Sequence, residues 1–211
     1  MSVGIKEAKR YHHGDLRHAL IEAAVRLVAE KGVRGLTLRE TARRVGVSRA
    51  APYRHFDDKR SLLLAVAEEG FRAMHARILK ELARASAEPA PRLSAIGVAY
   101  VGFAAARPEH FRIMFGQELA RSEASPSAEQ TALAVFQTLV AEIMQGQRAG
   151  AFRGGDPLGL AIASWSIAHG LAVIFVEGLL ERRQLAPAMS RAPKALTRLV
   201  TQLLIDGLAK R

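Results

Sequence analysis

Apolar residues return every three or four positions through almost the whole chain, and no run alternates convincingly at the two-residue period of a strand. That spacing commits the sequence to an all-α fold, because an apolar stripe at the helical period is buried best against other helices. In DLRHALIEAAVRLVAEKG the stripe is Leu16, Leu20, Ala23, Ala24, Leu27 and Val28, and Gly32 supplies a left-handed stop after about four turns. TLRE, residues 37–40, has the form of a capping box, in which the Thr37 hydroxyl and Glu40 carboxylate satisfy free amides at the start of a second, short helix ending near Gly46. Ser48 is placed to cap a third. Asp57 and Asp58 open a fourth, long one, along which Leu63, Ala67, Phe71, Met74, Ile78 and Leu82 recur. Helical runs at 93–106, 108–115, 129–147, 158–180 and 194–209 bring the total to about nine helices, with breaks expected at 120–128 and 150–157.

With 211 residues and 49% apolar content the chain can bury real cores. It contains no cysteine, which removes disulfides, thiolate metal sites and thiol nucleophiles and agrees with a reducing cytoplasm. The opening MSVGIKEAKRYHHGD lacks the apolar segment of a secretory signal. Residues 157–176 carry no Asp, Glu, Lys or Arg over about the length of a membrane span. Ser164, Ser166, His169 and two internal glycines lower their hydrophobicity, so the expectation is a helix buried between neighbours or subunits, not in a membrane.

Charge is concentrated at one end. Residues 1–60 hold 14 Lys/Arg against 7 Asp/Glu (+7), and residues 61–211 hold 17 against 13 (+4). A basic domain of that size suits a polyanion, since neutralised phosphates release condensed counterions, although a solvated cationic face would give the same count. Within this region VGVSRAAPYRHFDDK joins a glycine turn to a short basic segment. Ala42 is small where two helices would cross, Gly46 permits the positive backbone angle of the turn, and Val45, Val47 and Phe56 are spaced to bury beneath it. Ser48, Arg49, Ala50, Tyr53 and Arg54 are left facing outward. Three short helices with a tight turn before the third form a helix-turn-helix unit, whose last helix enters the DNA major groove. Pro52 disturbs this scheme: it removes the bond to the Ser48 carbonyl and disfavours helical backbone at Ala51, so a loosened first turn is expected.

LTLRETARRVGVSRAAPYRHFDDKRSLLLAV resembles the amino-terminal domain of the TetR family of transcriptional regulators, with an AcrR-like helix-turn-helix. The resemblance covers residues 14–74, with the motif at 37–56, and implies a larger helical ligand-binding and dimerisation domain at 75–211. SWSIAHG, with Trp165, His169 and Gly170, is similar to a subgroup marked by a Trp and a His-Gly pair. By resemblance Thr37, Tyr53, His55 and Lys59 would meet phosphates, and Ser48, Arg49 and Ala50 would lie near base edges. The chemistry agrees: an arginine can chelate the two acceptors of a guanine, whereas hydroxyl, imidazole and ammonium groups suit phosphate oxygens. Capping or packing roles for Tyr53 and His55, and simple solvation for Arg54, are the alternatives.

In the second domain Phe71, Met74, Ile78, Tyr100, Phe103, Phe111, Met114, Phe115, Phe136 and Trp165 cluster along the middle helices as in an adaptable apolar pocket, though plain core has the same spacing. Trp165 and His169, four apart on one face, are its aromatic and polar candidates, with a satisfied core histidine as the alternative. In KALTRLVTQLLIDGLAKR the seam of Leu196, Leu199, Val200, Leu203, Leu204 and Leu208, taken with the apolar 158–180 run, exceeds what one subunit needs and suggests a homodimer by four-helix packing. The expected protein is a cytoplasmic regulator, presumed a repressor, that binds palindromic double-stranded operator DNA as a dimer and responds to a small, mostly apolar effector, without metal or cofactor; the basic surface hints faintly at an anion. Two other classes remain open: an all-helical enzyme using His169, Glu177 or His110, for which no nucleophile–base pair or metal-ligand spacing speaks, and a nonspecific basic nucleic-acid-binding protein.

Overall fold

The computed structural model describes residues 16–120, 126–185 and 193–209. Its helices are α1 (Leu16–Lys31), α2 (Leu38–Val45), α3 (Lys59–Leu82), α4 (Pro89–Ala106), α5 (Pro108–Met114), α6 (Gln117–Ala120), α7 (Pro126–Arg148), α8 (Pro157–Val176), α9 (Leu179–Arg182) and α10 (Pro193–Leu208). Short 3-10 turns occupy Val33–Gly35 and Ala51–Arg54. Among the described residues extended pairing is limited to one antiparallel bridge, Phe152 to Ala209, so the fold is all-α as the periodicity requires. Gly14 and residues 121–125 of the expected break lie outside the described residues. Two compact units divide between Val66 and Ala67, inside α3.

In the first unit α1 buries Leu20, Ala23, Ala24, Leu27 and Val28, and α2 packs on it with Ala42 fully enclosed. Thr37 opens α2, its hydroxyl accepting from the Glu40 amide at 3.1 Å. Only that half of the capping box forms. The Glu40 carboxylate turns outward to Lys31 (3.0 Å) and Arg43 (2.8 Å), because two cations within reach outcompete one amide. Gly46, at φ 80°, ends α2 in the left-handed conformation with its N–H on the Ala42 carbonyl.

The third element is not the α-helix capped by Ser48 that the sequence suggested. It is a single 3-10 turn whose preceding residue is Ala50, and Ser48 makes no side-chain cap. Proline is the cause. An α-helix opening at Ser48 would deliver the residue-52 amide to the Ser48 carbonyl; Pro52 has none, so that carbonyl accepts from Ala51 at 3.0 Å and the tighter winding follows. Pro52 is itself buried, and its carbonyl accepts from both His55 and Phe56 at 2.9 Å. Asp58 then opens α3 in a reciprocal cap: its carboxylate accepts from the Ser61 amide at 2.7 Å, and its own amide donates to the Ser61 hydroxyl at 3.2 Å.

The second unit is built around α4, which packs against α10, α8 and α7. Arg92 of α4 grips Glu142 of α7 with two hydrogen bonds of 2.6 and 2.7 Å. The inward face of α10 is Thr197, Thr201, Ile205 and Leu208, so Leu208 belongs to the subunit core and not to the outer seam. Both threonine hydroxyls donate to carbonyls one turn back, which lets them be buried without orphaned donors. The single helix expected at 158–180 is two: α8 starts on the Asp156 cap and stops at Val176, where Gly178 (φ 60°) turns the chain into α9. Arg112 of α5 donates to the Val176 carbonyl and pairs with Glu177 at 3.1 Å, closing that end of α8.

Behind α7 the chain returns so closely that the Phe152 ring rests on Gly146, where an added Cβ would stand 2.1 Å from the ring. Gly146→Ala is therefore expected to destabilise this unit, an overpacking cost of about 1–3 kcal/mol exceeding the roughly 1 kcal/mol gained in helix propensity. Urea unfolding followed by emission of the chain's single tryptophan, Trp165, measures it.

Candidate nucleic-acid interface and ligand cavity

The first unit presents a compact set of uncommitted polar groups. Thr37, Ser48, Arg49, Ala50, Tyr53 and Arg54 are exposed, Tyr53 at 52% despite its aromatic ring, while His55 and Lys59 are half-buried. Pro52 and Phe56 lie beneath them, with the Arg17 guanidinium 5.5 Å from the centre of the Phe56 ring. Val45 and Val47, expected to be buried with Phe56, are only half-covered. The Thr37 hydroxyl accepts in its cap and keeps its hydrogen for an outside acceptor. Lys59 differs from the rest: its ammonium donates to the Val33 carbonyl at 2.6 Å and the Arg34 carbonyl at 3.4 Å, tying the start of α3 to the turn after α1.

The basic charge of this unit sorts into two kinds. Arg43, Arg44 and Lys31 are paired with Glu40 and Glu30, and the Arg43 and Lys31 hydrogen bonds lower the Glu40 carboxyl to about 2. Arg39, Arg49 and Arg54 have no carboxylate partner among the described residues. Arg39 and Arg49 border a polar depression of about 400 Å³ with Thr37, Val47 and the paired Glu40 and Arg43. Arg39 was not singled out in the sequence. Its signal was there: it stands four residues before Arg43 on the face of α2 that begins at Thr37, without an acidic neighbour one turn away.

The second unit holds a cavity of about 360 Å³. Of the residues expected there, Phe71, Ile78, Tyr100, Phe115, Phe136 and Trp165 line it. Met74, Phe103, Phe111 and Met114 are buried core instead, Met114 filling the space over Gly70. The rest of the wall comes from Ile96 of α4, Ile162 of α8 and the α7 residues Ala132, Leu133, Val135 and Leu139, which spacing alone does not separate from core. Four wall residues, Ile96, Tyr100, Leu139 and Trp165, also bound a second space of about 40 Å³ closed by Thr197, Val200, Thr201 and Leu204 of α10.

Tyr100 organises the polar end. Trp165 Nε1–H donates to its hydroxyl at 3.1 Å, and the hydroxyl lies 2.9 Å from His169 Nδ1. The tryptophan can only donate, and the assignment that leaves the tyrosine hydrogen with a partner gives it to the imidazole, a neutral ring accepting at Nδ1. Burial acts the same way, lowering the His169 pKa and pushing the Tyr100 phenol far up. His169 sits among the rings of Phe111 (5.3 Å), Phe115 (4.7 Å) and Trp165 (5.3 Å) but not on the cavity wall. No cluster of three or more metal-ligating side chains occurs among the described residues.

Two family models match the chain. Residues 20–66 match the bacterial regulatory proteins of the tetR family, and residues 93–203 the tetracyclin repressor-like C-terminal domain. The chain belongs to the TetR family. Its amino-terminal unit is the helix-turn-helix DNA-binding domain of these transcriptional regulators, and the family is not one of enzymes. Tetracycline repressor protein class C of Escherichia coli is 48% identical over 52 residues, 25% of this chain and 24% of that protein. The transcriptional repressor AcnR of Corynebacterium diphtheriae is 45% identical over 53 residues, 25% of this chain and 28% of that protein. Similarity to these curated relatives thus spans only about a quarter of their length. A protein of unknown function from Rhodococcus sp. RHA1 superposes with a TM-score of 0.81 at 30% identity, over 96% of this chain and 100% of that one.

In this TetR-family chain the second unit carries two histidines whose pKa is lowered chiefly by burial, His169 and His110, the latter with Nε2 buried and unpartnered. Neutral imidazole is favoured by folding, so the stability is complete above the ordinary pKa of about 6.5 and is lost as pH falls below it. The thermal midpoint is expected to drop between pH 7.5 and 5, and to drop less in His169→Asn. Equal drops in the two proteins would remove His169 from this linkage.

Proposed function

We propose that the chain is a ligand-responsive homodimeric regulator, a cytoplasmic repressor released from a palindromic operator when a small, mostly apolar molecule enters the second unit. The DNA-binding domain is assigned to 14–74, with its motif at 37–56, and the ligand-binding and dimerisation domain to 75–211. The observation that carries the reading is the exposed, uncommitted set of Thr37, Ser48, Arg49 and Tyr53 above buried Pro52 and Phe56. Ala50 leaves room for close approach to a groove. Arg49 reads base edges, and Thr37, Tyr53 and His55 hold phosphates. Arg39 joins them as a phosphate contact. Lys59 contributes mainly by fixing α3, its ammonium already bound to two carbonyls.

Dimerisation is supported by apolar surface left over after the subunit core is built. Leu199 and Leu203 of α10 are 54% and 65% exposed, Leu158 and Ile162 of α8 nearly half, and Leu196, Val200 and Leu204 are partly covered. α8 carries no charge from Pro157 to Val176, so a two-fold axis would set no like charges against each other there. By length and composition α8 could also cross a membrane, but its packing against α4, α7 and α10 gives it a place in a helical bundle. Leu203→Glu should yield a monomer by sedimentation and lose operator binding, since two half-sites then have no linked partners. α3 carries Lys59 at its start and the cavity residues Phe71 and Ile78 further along, which makes it the element through which effector and operator would be coupled.

The deciding experiment selects binders from a randomised duplex library. Arg49→Ala is expected to relax preference at its base pair by roughly 1–3 kcal/mol, while Tyr53→Phe weakens all sequences alike. Arg39→Ala should flatten the salt dependence of binding by about one unit of slope. Unchanged selectivity in Arg49→Ala would show that this arginine does not read bases.

A further inference from the structure

Among the described residues the 360 Å³ cavity has no charged side chain on its wall, and its side-chain polar atoms are the Tyr100 hydroxyl and the Trp165 indole nitrogen. Both of their hydrogens are already committed, Trp165 Nε1–H to Tyr100 and the Tyr100 hydrogen to His169. The wall is otherwise helical backbone whose amides are bonded within their helices, and the Phe115 amide at the end of α5 is held by the Phe111 carbonyl at 3.2 Å. What the described wall offers is therefore hydrocarbon and the acceptor capacity left on the Tyr100 oxygen.

The nearest polar groups on the flanking helices do not alter this. Arg77 of α3, whose Nε is buried without a partner, lies across Gly102 of α4 and is not on the cavity wall. His75 is bonded to Thr138 at 3.0 Å, and the Thr138 hydroxyl donates to the Ala134 carbonyl. An anion entering the cavity would give up part of its hydration and meet neither a cation nor an uncommitted side-chain donor on the described wall. A hydroxyl could donate to the Tyr100 oxygen and leave nothing unsatisfied.

We propose that this cavity selects uncharged, hydrocarbon-like molecules bearing at most one hydroxyl donor, and rejects carboxylates and phosphates of the same carbon skeleton. The inference rests on the reading of the cavity as the effector site, and it runs against the weak suggestion of an anionic effector given by the chain's net charge of +11. That charge is most concentrated in residues 1–60, away from these wall residues in the sequence.

Trp165 is both a wall residue and the chain's single tryptophan, so the full-length protein reports on its own cavity. Octan-1-ol and octanoate, titrated at pH 8 while Trp165 emission is followed, form a matched pair differing in the charged end. The expected result is a shift with octan-1-ol at a dissociation constant at least about tenfold lower than that of octanoate. Octanoate binding as tightly or more tightly would overturn the selection for uncharged molecules and leave the cavity as the effector site. No response to either compound up to its solubility would overturn both readings.

Discussion

A chain whose described residues form no strand must satisfy its backbone donors inside helices, and every helix end leaves amides or carbonyls that something else has to meet. The architecture is decided at those ends. Gly46 and Gly178 adopt positive φ where the chain must turn, Asp58 and Asp156 cap the helices that follow, and Arg112 closes α8. Pro52 has no amide to offer the Ser48 carbonyl, and there the chain changes winding. The result is a single 3-10 turn too short to stand by itself. Burial of Pro52 and Phe56 holds it from below, and this is what presents Arg49 and Tyr53 upward.

The second unit repeats the principle with side chains. Tyr100, 4% exposed, is acceptor to Trp165 and donor to His169, so α4 and α8 share a polar contact in an otherwise apolar interior. A Tyr100 hydroxyl left unpaired in that interior would cost more than a wholly apolar contact. The trio also commits the two side-chain hydrogens on the described wall of the adjoining cavity. The same wall separates that cavity from the small space in front of α10, the helix that carries the most exposed leucines of the proposed dimer face.

How much of this was legible in the residues differs from element to element. Helices with a strong stripe, such as α1, were readable with their buried positions, because burial of one face and helical spacing are the same fact. Pro52 was readable as a missing hydrogen bond, but not its outcome, since the choice between a loosened α-turn and a 3-10 turn depends on what packs beneath. Glu40 left its expected cap, and Lys59 gained backbone partners that spacing did not announce, for one reason: each is a long charged side chain with several partners in reach, and only the folded geometry decides among Lys31, Arg43 and backbone carbonyls. In the cavity, spacing identified Phe71, Ile78 and Phe136 as inward-facing but equally chose Met74, Phe103 and Phe111. Periodicity says which way a side chain points and not whether the space it points into is filled.

The central claim is that the capped α2 and the 3-10 turn beyond Gly46 read duplex DNA by sequence. Sequencing the DNA fragments that remain bound to the purified protein at moderate salt tests it most directly. The account predicts enrichment of a two-fold symmetric sequence whose half-sites lie about one helical turn apart or a multiple of it. Fragments sharing no sequence, released together as salt rises, would contradict it and leave only a basic surface that coats nucleic acid.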